Sequence, residues 1–339
     1  MHRRHLLQTG FVAAGGLAMP ALVRAQGSAW KPTRTISIIV PWAAGGSTDQ
    51  CVRVVANELQ GALGQSVVVV NQPGASGSIG TRNALSSAHD GYTWTSGAAA
   101  DLGCYKVLGL LDTTLPDWNL FLAIANVTII AANPSSPYKD FGALQAAMTK
   151  AGGAQVAVAT AGISSAGQLM MEMVRASDKG VYRHVPYDGG NPAVIAAVAG
   201  ETPVVSCLLV EAGDMIKAKR LIPLAALSDQ PVPLEGFGEV PPITRWMPGM
   251  SAPLNYFGIW LPQDAPAEVR DTMQQVWRDK IAHSAALADY AKRRAAIYAP
   301  LSGDEAQTEA LKLVRQAAWL YYDGGKAKVS PDSVGLQRA

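Results

Sequence analysis

The sequence is poor in the side chains that most catalytic and metal centres use. Its 339 residues include three cysteines and five histidines, and no two histidines beyond residue 25 lie close together. The HExxH and CxxC spacings are absent, as are the GxSxG motif of a serine nucleophile and the GxxxxGK[ST] phosphate-binding loop. We therefore expect no metal, no cofactor and no catalytic residue, although the scattered carboxylates leave an acid–base pair open.

Charge is also scarce and nearly balanced. Charged residues make up 16% of the chain and hydrophobic residues 49%, which suits a globular protein and excludes a disordered one. The first 25 residues hold Arg3, Arg4 and Arg24 and no acid, so the rest has 25 basic against 26 acidic residues, a net charge of about −1. This balance does not favour a nucleic acid or an anionic membrane surface as a partner.

The three cysteines, Cys51, Cys104 and Cys207, are far apart in the chain. Their number leaves two interpretations open. They are three buried apolar side chains, which we favour, or two of them form a disulfide in an oxidising compartment.

The N-terminal residues are typical of an export signal. A basic start with Arg3-Arg4 precedes an apolar run from Phe11 to Val23, which is too short to cross a bilayer comfortably. The arginine pair fits a twin-arginine signal, with general secretion as the alternative. Cleavage is predicted near Ala25, and no later apolar run approaches the roughly 20 residues of a membrane span. We expect a soluble periplasmic protein after cleavage.

The most informative motif is a strand, a glycine turn and a helix in residues 36–63. The apolar run Ile36–Val40 leads into Gly45-Gly46, and Ser47 then begins an amphipathic helix. Ser47 and Gln50 have the spacing of a capping box. Backbone N–H groups and the helix dipole attract an anion at such a helix start, although many glycine turns of this kind carry no ligand.

Similar units recur along the chain and divide it into two lobes. A second glycine loop spans Asn71–Gly80, and the next strand ends at Ser96-Gly97-Ala98, so these loops meet at one edge of an open sheet. A break at 133–137 and a proline-rich return at 230–253 enclose a second α/β block. We predict that residues 30–132 with 240–339 form one lobe and residues 133–239 the other. Each lobe would be a mostly parallel sheet flanked by helices, with a cleft between the lobes.

The sequence resembles the solute-binding receptors of tripartite tricarboxylate transporters, the Bug-type proteins of the bacterial periplasm. The resemblance covers roughly residues 30–325 and rests on Pro41–Asp49, Asn71–Gly80, Asp90–Thr93 and Val185–Gly190, in that order. It implies a hinged, two-lobed protein of the type II Venus-flytrap kind. Such a protein captures a small organic carboxylate, aliphatic or aromatic, and delivers it as a monomer to the membrane subunits of the transporter.

The resemblance also implies that two loops facing each other across the cleft bind the ligand, largely through backbone groups and bridging water. The implied first-lobe contacts are Ala44, Gly45, Gly46, Ser47 and Asp49, with Trp42, Ser96 and Ala98 beside them. The implied second-lobe contacts are Thr160, Gly162, Ser164 and Ser165, with Tyr187 and Asp188 at the cleft edge. Two roles stay open: Asp49 contacts the ligand or caps its own helix, and Trp42 stacks on the ligand or belongs to the wall.

The chain departs from the family pattern in its second lobe. Gln168 stands where a histidine is usual, and the segments Ala199–Pro203 and Pro242–Trp246 also differ. Two other functions also remain open. One is a ligand sensor that feeds a signalling partner, and the other is a periplasmic hydrolase or lyase that uses the scattered carboxylates.

Overall fold

The computed structural model describes residues 29–151, 155–250 and 253–338. The predicted export signal lies outside these ranges. Across the described residues, no helix combines the length and apolar character needed to cross a membrane.

The described strands and helices alternate along most of the chain. The strands are β1 (Ile36–Val40), β2 (Val67–Asn71), β3 (Thr93–Ala98), β4 (Trp118–Asn126), β5 (Thr128–Ala132), β6 (Val156–Thr160), β7 (Tyr182–Pro186), β8 (Val204–Leu208), β9 (Ile222–Ala226), β10 (Val232–Leu234), β11 (Gly238–Val240), β12 (Asn255–Pro262) and β13 (Ile297–Ser302). The helices are α1 (Ser47–Leu63), α2 (Ser78–Leu85), α3 (Ala99–Leu108), α4 (Phe141–Thr149), α5 (Ala166–Asp178), α6 (Gly190–Ala199), α7 (Leu209–Lys217), α8 (Ala267–Asp279), α9 (Ala285–Arg294) and α10 (Gly303–Asp323).

Two sheets define two lobes. The first sheet has the order β13-β4-β12-β3-β1-β2 and the second β7-β6-β8-β5-β9, while β10 and β11 form a separate hairpin. The predicted two-lobed α/β architecture is therefore confirmed. Both sheets are mixed rather than mostly parallel: β12 runs against β3 and β4 in the first sheet, and β5 runs against both its neighbours in the second.

The chain enters the second lobe earlier than the sequence indicates. Strand β4 belongs to the first sheet and β5 to the second, with the single residue Val127 between them. The break at 133–137, which the composition predicts as the crossing, is a turn inside the second lobe. There the Asn133 side chain accepts from Ser135 N at 2.8 Å and donates to Ala197 O at 2.8 Å. Asn, Pro and Ser are common both in turns and in domain linkers, so the composition of residues 133–137 does not distinguish the two.

Apolar burial holds each helix against its sheet. Helix α1 buries Val52, Val55 and Leu59 on one face, as its helical spacing predicts. On α8, the fully buried Trp277 donates its indole N–H to Leu122 O at 2.7 Å, so the ring is both packed and hydrogen-bonded. Each such buried side chain contributes roughly 1.5–3 kcal/mol of transfer free energy.

Candidate functional site

Five segments that follow strand ends, those of β1, β3, β6, β7 and β8, meet between the lobes. They enclose a cavity of about 30 Å³, which is room for one or two water-sized groups. Its lining residues are Trp42, Ala43, Gly46, Ser47, Thr48, Asp101, Ala161, Ser165, Ala166, Gly167, Gly190, Cys207, Leu208, Glu211 and Phe257. The first and second lobes both contribute, so the cavity lies in the predicted cleft.

The start of α1 differs from the predicted capping box. Gly46 holds the N-cap position and has no side chain to accept a bond, so Ser47 becomes the first helical residue. Its hydroxyl then donates across the cleft to Glu211 Oε1 at 2.8 Å. The Gln50 amide turns back to donate to Gly45 O at 2.6 Å. The predicted capping box is therefore wrong, and its serine forms an interlobe hydrogen bond instead.

The backbone donors of this loop are largely engaged by the chain's own acceptors. Gly45, in the left-handed region at φ 76°, donates its N–H to Asp49 Oδ2 at 2.8 Å. Gly46 N donates to Ala43 O at 3.3 Å, and Glu211 accepts from the Ser47 backbone as well as from its hydroxyl. The start of α1, which attracts anions, is therefore already occupied by two carboxyl groups of the protein, those of Asp49 and Glu211.

The Asp49 carboxylate, in the first turn of α1, is occupied by donors of the chain itself. Arg53 and Asn71 donate to its carboxylate at 2.9–3.0 Å alongside the Gly45 amide. Burial raises the pKa of Asp49, but the hydrogen bonds from Arg53, Gly45 and Asn71 outweigh burial and hold that pKa below its ordinary value. The residue is not among those that line the cavity.

Trp42 is 7% exposed, and its ring belongs to the first-lobe core and also lines the cavity. The ring packs directly on Gly77, because a Cβ at that position would lie only 3.1–3.2 Å from it. Trp42 is therefore a wall residue with one surface toward the cavity.

The facing loop of the second lobe closes against the second glycine loop. Ser76 Oγ accepts from Ile163 N at 3.0 Å, and Ser76 O accepts from Ser164 Oγ at 3.3 Å. Ser165 caps α5 by accepting from Gln168 N at 3.3 Å. The cap position fixes Ser165, Ala166 and Gly167 at the cavity wall.

Several sequence-predicted residues lie beside the cavity without lining it. Thr160 is fully buried and its hydroxyl lies 2.6 Å from His184 Nε2, while Ser96 donates to Ile39 O at 3.0 Å. Tyr187, just after β7, donates to Glu201 Oε2 at 3.2 Å. The predicted residues outside the cavity wall are Ala44, Gly45, Asp49, Ser96, Ala98, Thr160, Gly162, Ser164, Tyr187 and Asp188.

Two acidic residues in the cavity wall belong to none of the sequence motifs that predict the site. Asp101 lies in the first turn of α3, and Glu211 lies in the first turn of α7, where its Oε2 accepts from Leu208 N at 3.0 Å. Both follow strand ends, β3 and β8, by a few residues. Ser96 and Ala98 are predicted because ligands bind at the carboxyl ends of strands. Extending this rule by one helical turn beyond each strand would include Asp101 and Glu211.

The three thiols are unpaired, and the described residues form no metal-binding group. Cys51, Cys104 and Cys207 are all free and buried, so no disulfide joins them, and burial raises the pKa of Cys51 to about 12. Within the ranges that the structure describes, no group of three or more His, Cys, Asp or Glu side chains is placed to hold a metal ion.

Two mixed α/β lobes with a cavity between their facing loops are the architecture of a two-lobed binding protein. The family model of the tripartite tricarboxylate transporter family receptor, TctC, matches residues 51–317. The chain belongs to this receptor family.

Curated relatives lie at moderate identity. The chain is 34% identical to BugT of Bordetella pertussis over 194 residues, which are 56% of this chain and 58% of BugT. The chain thus spans less than two thirds of BugT in this match. It is 28% identical to a UPF0065 protein of Bordetella bronchiseptica over 297 residues, 86% of this chain and 82% of that protein.

Solved structures share the fold at low sequence identity. The periplasmic binding protein BugD has a TM-score of 0.78 at 22% identity, and the match covers 87% of this chain and 99% of BugD. R. palustris Rpa4515, solved with adipate, has a TM-score of 0.77 at 21% identity over 87% of this chain and 98% of its own. MatC of Rhodopseudomonas palustris, solved with bound malate, has a TM-score of 0.70 at 19% identity. The match covers 86% of this chain and 98% of MatC.

Proposed function

We propose that this chain is a periplasmic receptor that captures a small organic carboxylate between its lobes and delivers it to the membrane subunits of a tripartite tricarboxylate transporter. The observation that carries the proposal is the cavity at the start of α1, faced by the β6–α5 loop and the junction of β8 with α7, in a chain of this receptor family. The adipate and malate in two proteins of the same fold support a carboxylate as ligand.

The proposed mechanism is closure of the two lobes with no bond made or broken. The cavity of about 30 Å³ is too small for a whole carboxylate, so a ligand enters when the lobes separate. Separation breaks the hydrogen bond from Ser47 to Glu211 and those that Ile163 and Ser164 donate to Ser76. Each is a single hydrogen bond, worth about 1 kcal/mol net, so a ligand can replace them.

We place the ligand between residues 42–49 of the first lobe and residues 160–165 of the second, with bridging water completing the backbone contacts. Micromolar binding corresponds to about 8 kcal/mol. A small ligand that is enclosed on both sides and hydrogen-bonded at both ends can reach this value.

A thermal-shift and calorimetry screen tests the carboxylate proposal. The panel contains mono-, di- and tricarboxylates, aromatic acids and the matching amides, added to protein that has been unfolded and refolded to remove bound molecules. A ligand at 100 times its dissociation constant adds about 2.7 kcal/mol of stability. We expect at least one acid to give this shift while its amide does not. No shift with any acid would refute the proposal.

A wedge between the lobes tests where the ligand binds. A Cβ on Gly189 would come within 3.2 Å of Ala43 Cβ, so the two loops touch across the cleft. We expect Ala43→Trp to hold the lobes apart and weaken binding of the acid found in the screen at least tenfold. The control is Ala286→Trp on the exposed face of α9, which should leave the affinity unchanged. Equal affinities in both variants would place the ligand elsewhere.

A further inference from the structure

Asp101 is a buried acidic residue of the cavity wall, and one of its two carboxyl oxygens has no hydrogen-bonding partner among the described residues. Its side chain lines the cavity, is 5% exposed, and its Oδ1 receives no hydrogen bond from any described residue. A buried carboxylate oxygen without a donor costs about 1–3 kcal/mol. A group that occupies the cavity and donates a hydrogen bond would remove this cost.

Glu211 brings a second carboxyl group to the same cavity from the other lobe. Its Oε1 accepts from the Ser47 hydroxyl and its Oε2 from Leu208 N, so it occupies the anion-attracting start of α1. Burial, and then the charge of Glu211, raise the pKa of Asp101 well above its ordinary value. Burial also raises the pKa of Glu211. Both shifts are those of carboxyl groups that lack a compensating cation from the described chain.

The remaining cavity wall supplies no positive side chain. The described residues that line it include no lysine, arginine or histidine. Arg53, which pairs with Asp49 on α1, lies outside the wall and is half exposed. A positively charged donor in the cavity would favour the ionised form of both carboxyl groups and be attracted by it, whereas a carboxylate placed there would disfavour that form.

We propose that the wall formed by Asp101 and Glu211 is a subsite for an ammonium group, so that the preferred ligand joins a protonated amine to its carboxylate. This inference rests on the proposed function, because it adds a second recognised group to the carboxylate. An ammonium has the size of a water molecule and fits the volume of about 30 Å³. It donates up to three hydrogen bonds, which suits two carboxyl groups that approach from opposite lobes.

Three ligands that differ at one position test the subsite. Succinate, malate and aspartate carry hydrogen, hydroxyl and ammonium at the same carbon, and calorimetry on the purified chain at pH 7.5 compares them. We expect aspartate to bind at least ten times more tightly than succinate, and malate to bind more weakly than aspartate. Equal binding of malate and aspartate, or tighter binding of succinate, would overturn the proposal.

Two carboxyl-to-amide variants test whether Asp101 and Glu211 cause the preference for aspartate over succinate. We expect Asp101→Asn to reduce the aspartate-to-succinate affinity ratio at least tenfold, and Glu211→Gln to lower it in the same direction. The matched control is Asp112→Asn, an exposed aspartate paired with Lys106, which should leave the ratio unchanged. A ratio that both amide variants leave intact would overturn the assignment, with thermal unfolding confirming that each variant is folded.

The outcomes separate this inference from the proposed function. If several carboxylates bind but an amine at this carbon gives no advantage, the receptor proposal stands and the ammonium subsite is wrong. If no carboxylate or amino acid binds at all, the receptor proposal itself fails.

Discussion

Replacing Glu172 by alanine is expected to destabilise the protein by about 1.5–3 kcal/mol, the range for hydrogen bonds to a charged group, because Lys326 and Arg175 are partly exposed and stay hydrated. The Glu172 side chain is fully buried on α5 and accepts from Lys326 Nζ at 2.6 Å, Tyr182 Oη at 2.6 Å and Arg175 at 2.8–2.9 Å. Without the carboxylate, the two cations and the Tyr182 hydroxyl lose their shared partner. Urea unfolding measures the loss.

This cluster also joins the two lobes. Lys326 follows α10, which packs on the first sheet, whereas Glu172 and Tyr182 belong to the second lobe. Glu172→Ala therefore removes an ion pair that bridges the lobes, and we expect the ligand-free protein to open further in small-angle X-ray scattering. An unchanged scattering profile with reduced stability would show that the ion pair stabilises the fold without holding the lobes together.

Asp289→Ala is the matched control for the Glu172 variant. Asp289 pairs with Arg293 on the surface of α9, with both side chains more than half exposed. Exposed pairs contribute about 0–1 kcal/mol, so little stability should be lost. Equal losses in the two variants would contradict the buried ion-pair account.

The pH dependence of the Glu172 effect follows from its pKa. Burial raises that pKa, but hydrogen bonds from Lys326, Tyr182 and Arg175 outweigh burial and hold it below its ordinary value. A carboxyl group with a lowered folded-state pKa stabilises the fold above its unfolded pKa of about 4.3, and this contribution is lost as the pH falls through the folded value. The difference between wild type and Glu172→Ala should therefore be full at pH 7 and shrink below about pH 4.

The sequence predicts local structure well and interlobe contacts poorly. The strand β1, the glycine turn and α1 follow from apolar spacing and glycine, and the structure has them where the pattern puts them. The capping box fails because Gly46 takes the cap position and Ser47 finds an acceptor 164 residues away in Glu211. Such a contact depends on how the lobes close, which no local spacing encodes.

Gln168 illustrates the same limit. Its departure from the usual family histidine leaves the role of the second lobe open at the level of the sequence. In the structure its amide donates to Glu172 Oε1 at 2.7 Å and to Tyr182 Oη at 2.9 Å, and the residue does not line the cavity. Nearby His184 has its pKa lowered to about 4, by burial first and by the charge of Lys326 second. Most of this polar cluster lies within the second lobe, and Lys326, from the segment after α10, adds a contact to it that no local spacing encodes.

Replacing Gly167 by alanine is expected to cost at least about 1–3 kcal/mol, the usual range for overpacking a buried site. Gly167 lies in the first turn of α5, where the helix runs directly against β8. An added Cβ would overlap the carbonyl oxygen of Ser206 and lie 2.6 Å from its carbonyl carbon. Both are backbone atoms of a central strand, so α5 must move away from the sheet. Ser165 and Ala166 would move with it and change the cavity wall.

Gly61→Ala is the matched substitution with the opposite expected sign. Gly61 lies within α1, is exposed, and a Cβ there would meet nothing within 4 Å. Alanine restricts the unfolded chain and favours the helix, so this variant should gain about 0.5–1 kcal/mol. Both are glycine-to-alanine changes within a helix, so they differ chiefly in what the new methyl group meets. Chemical denaturation of the two variants should move the midpoint in opposite directions, and a loss of stability in both would show that the approach of α5 to β8 is not what requires Gly167.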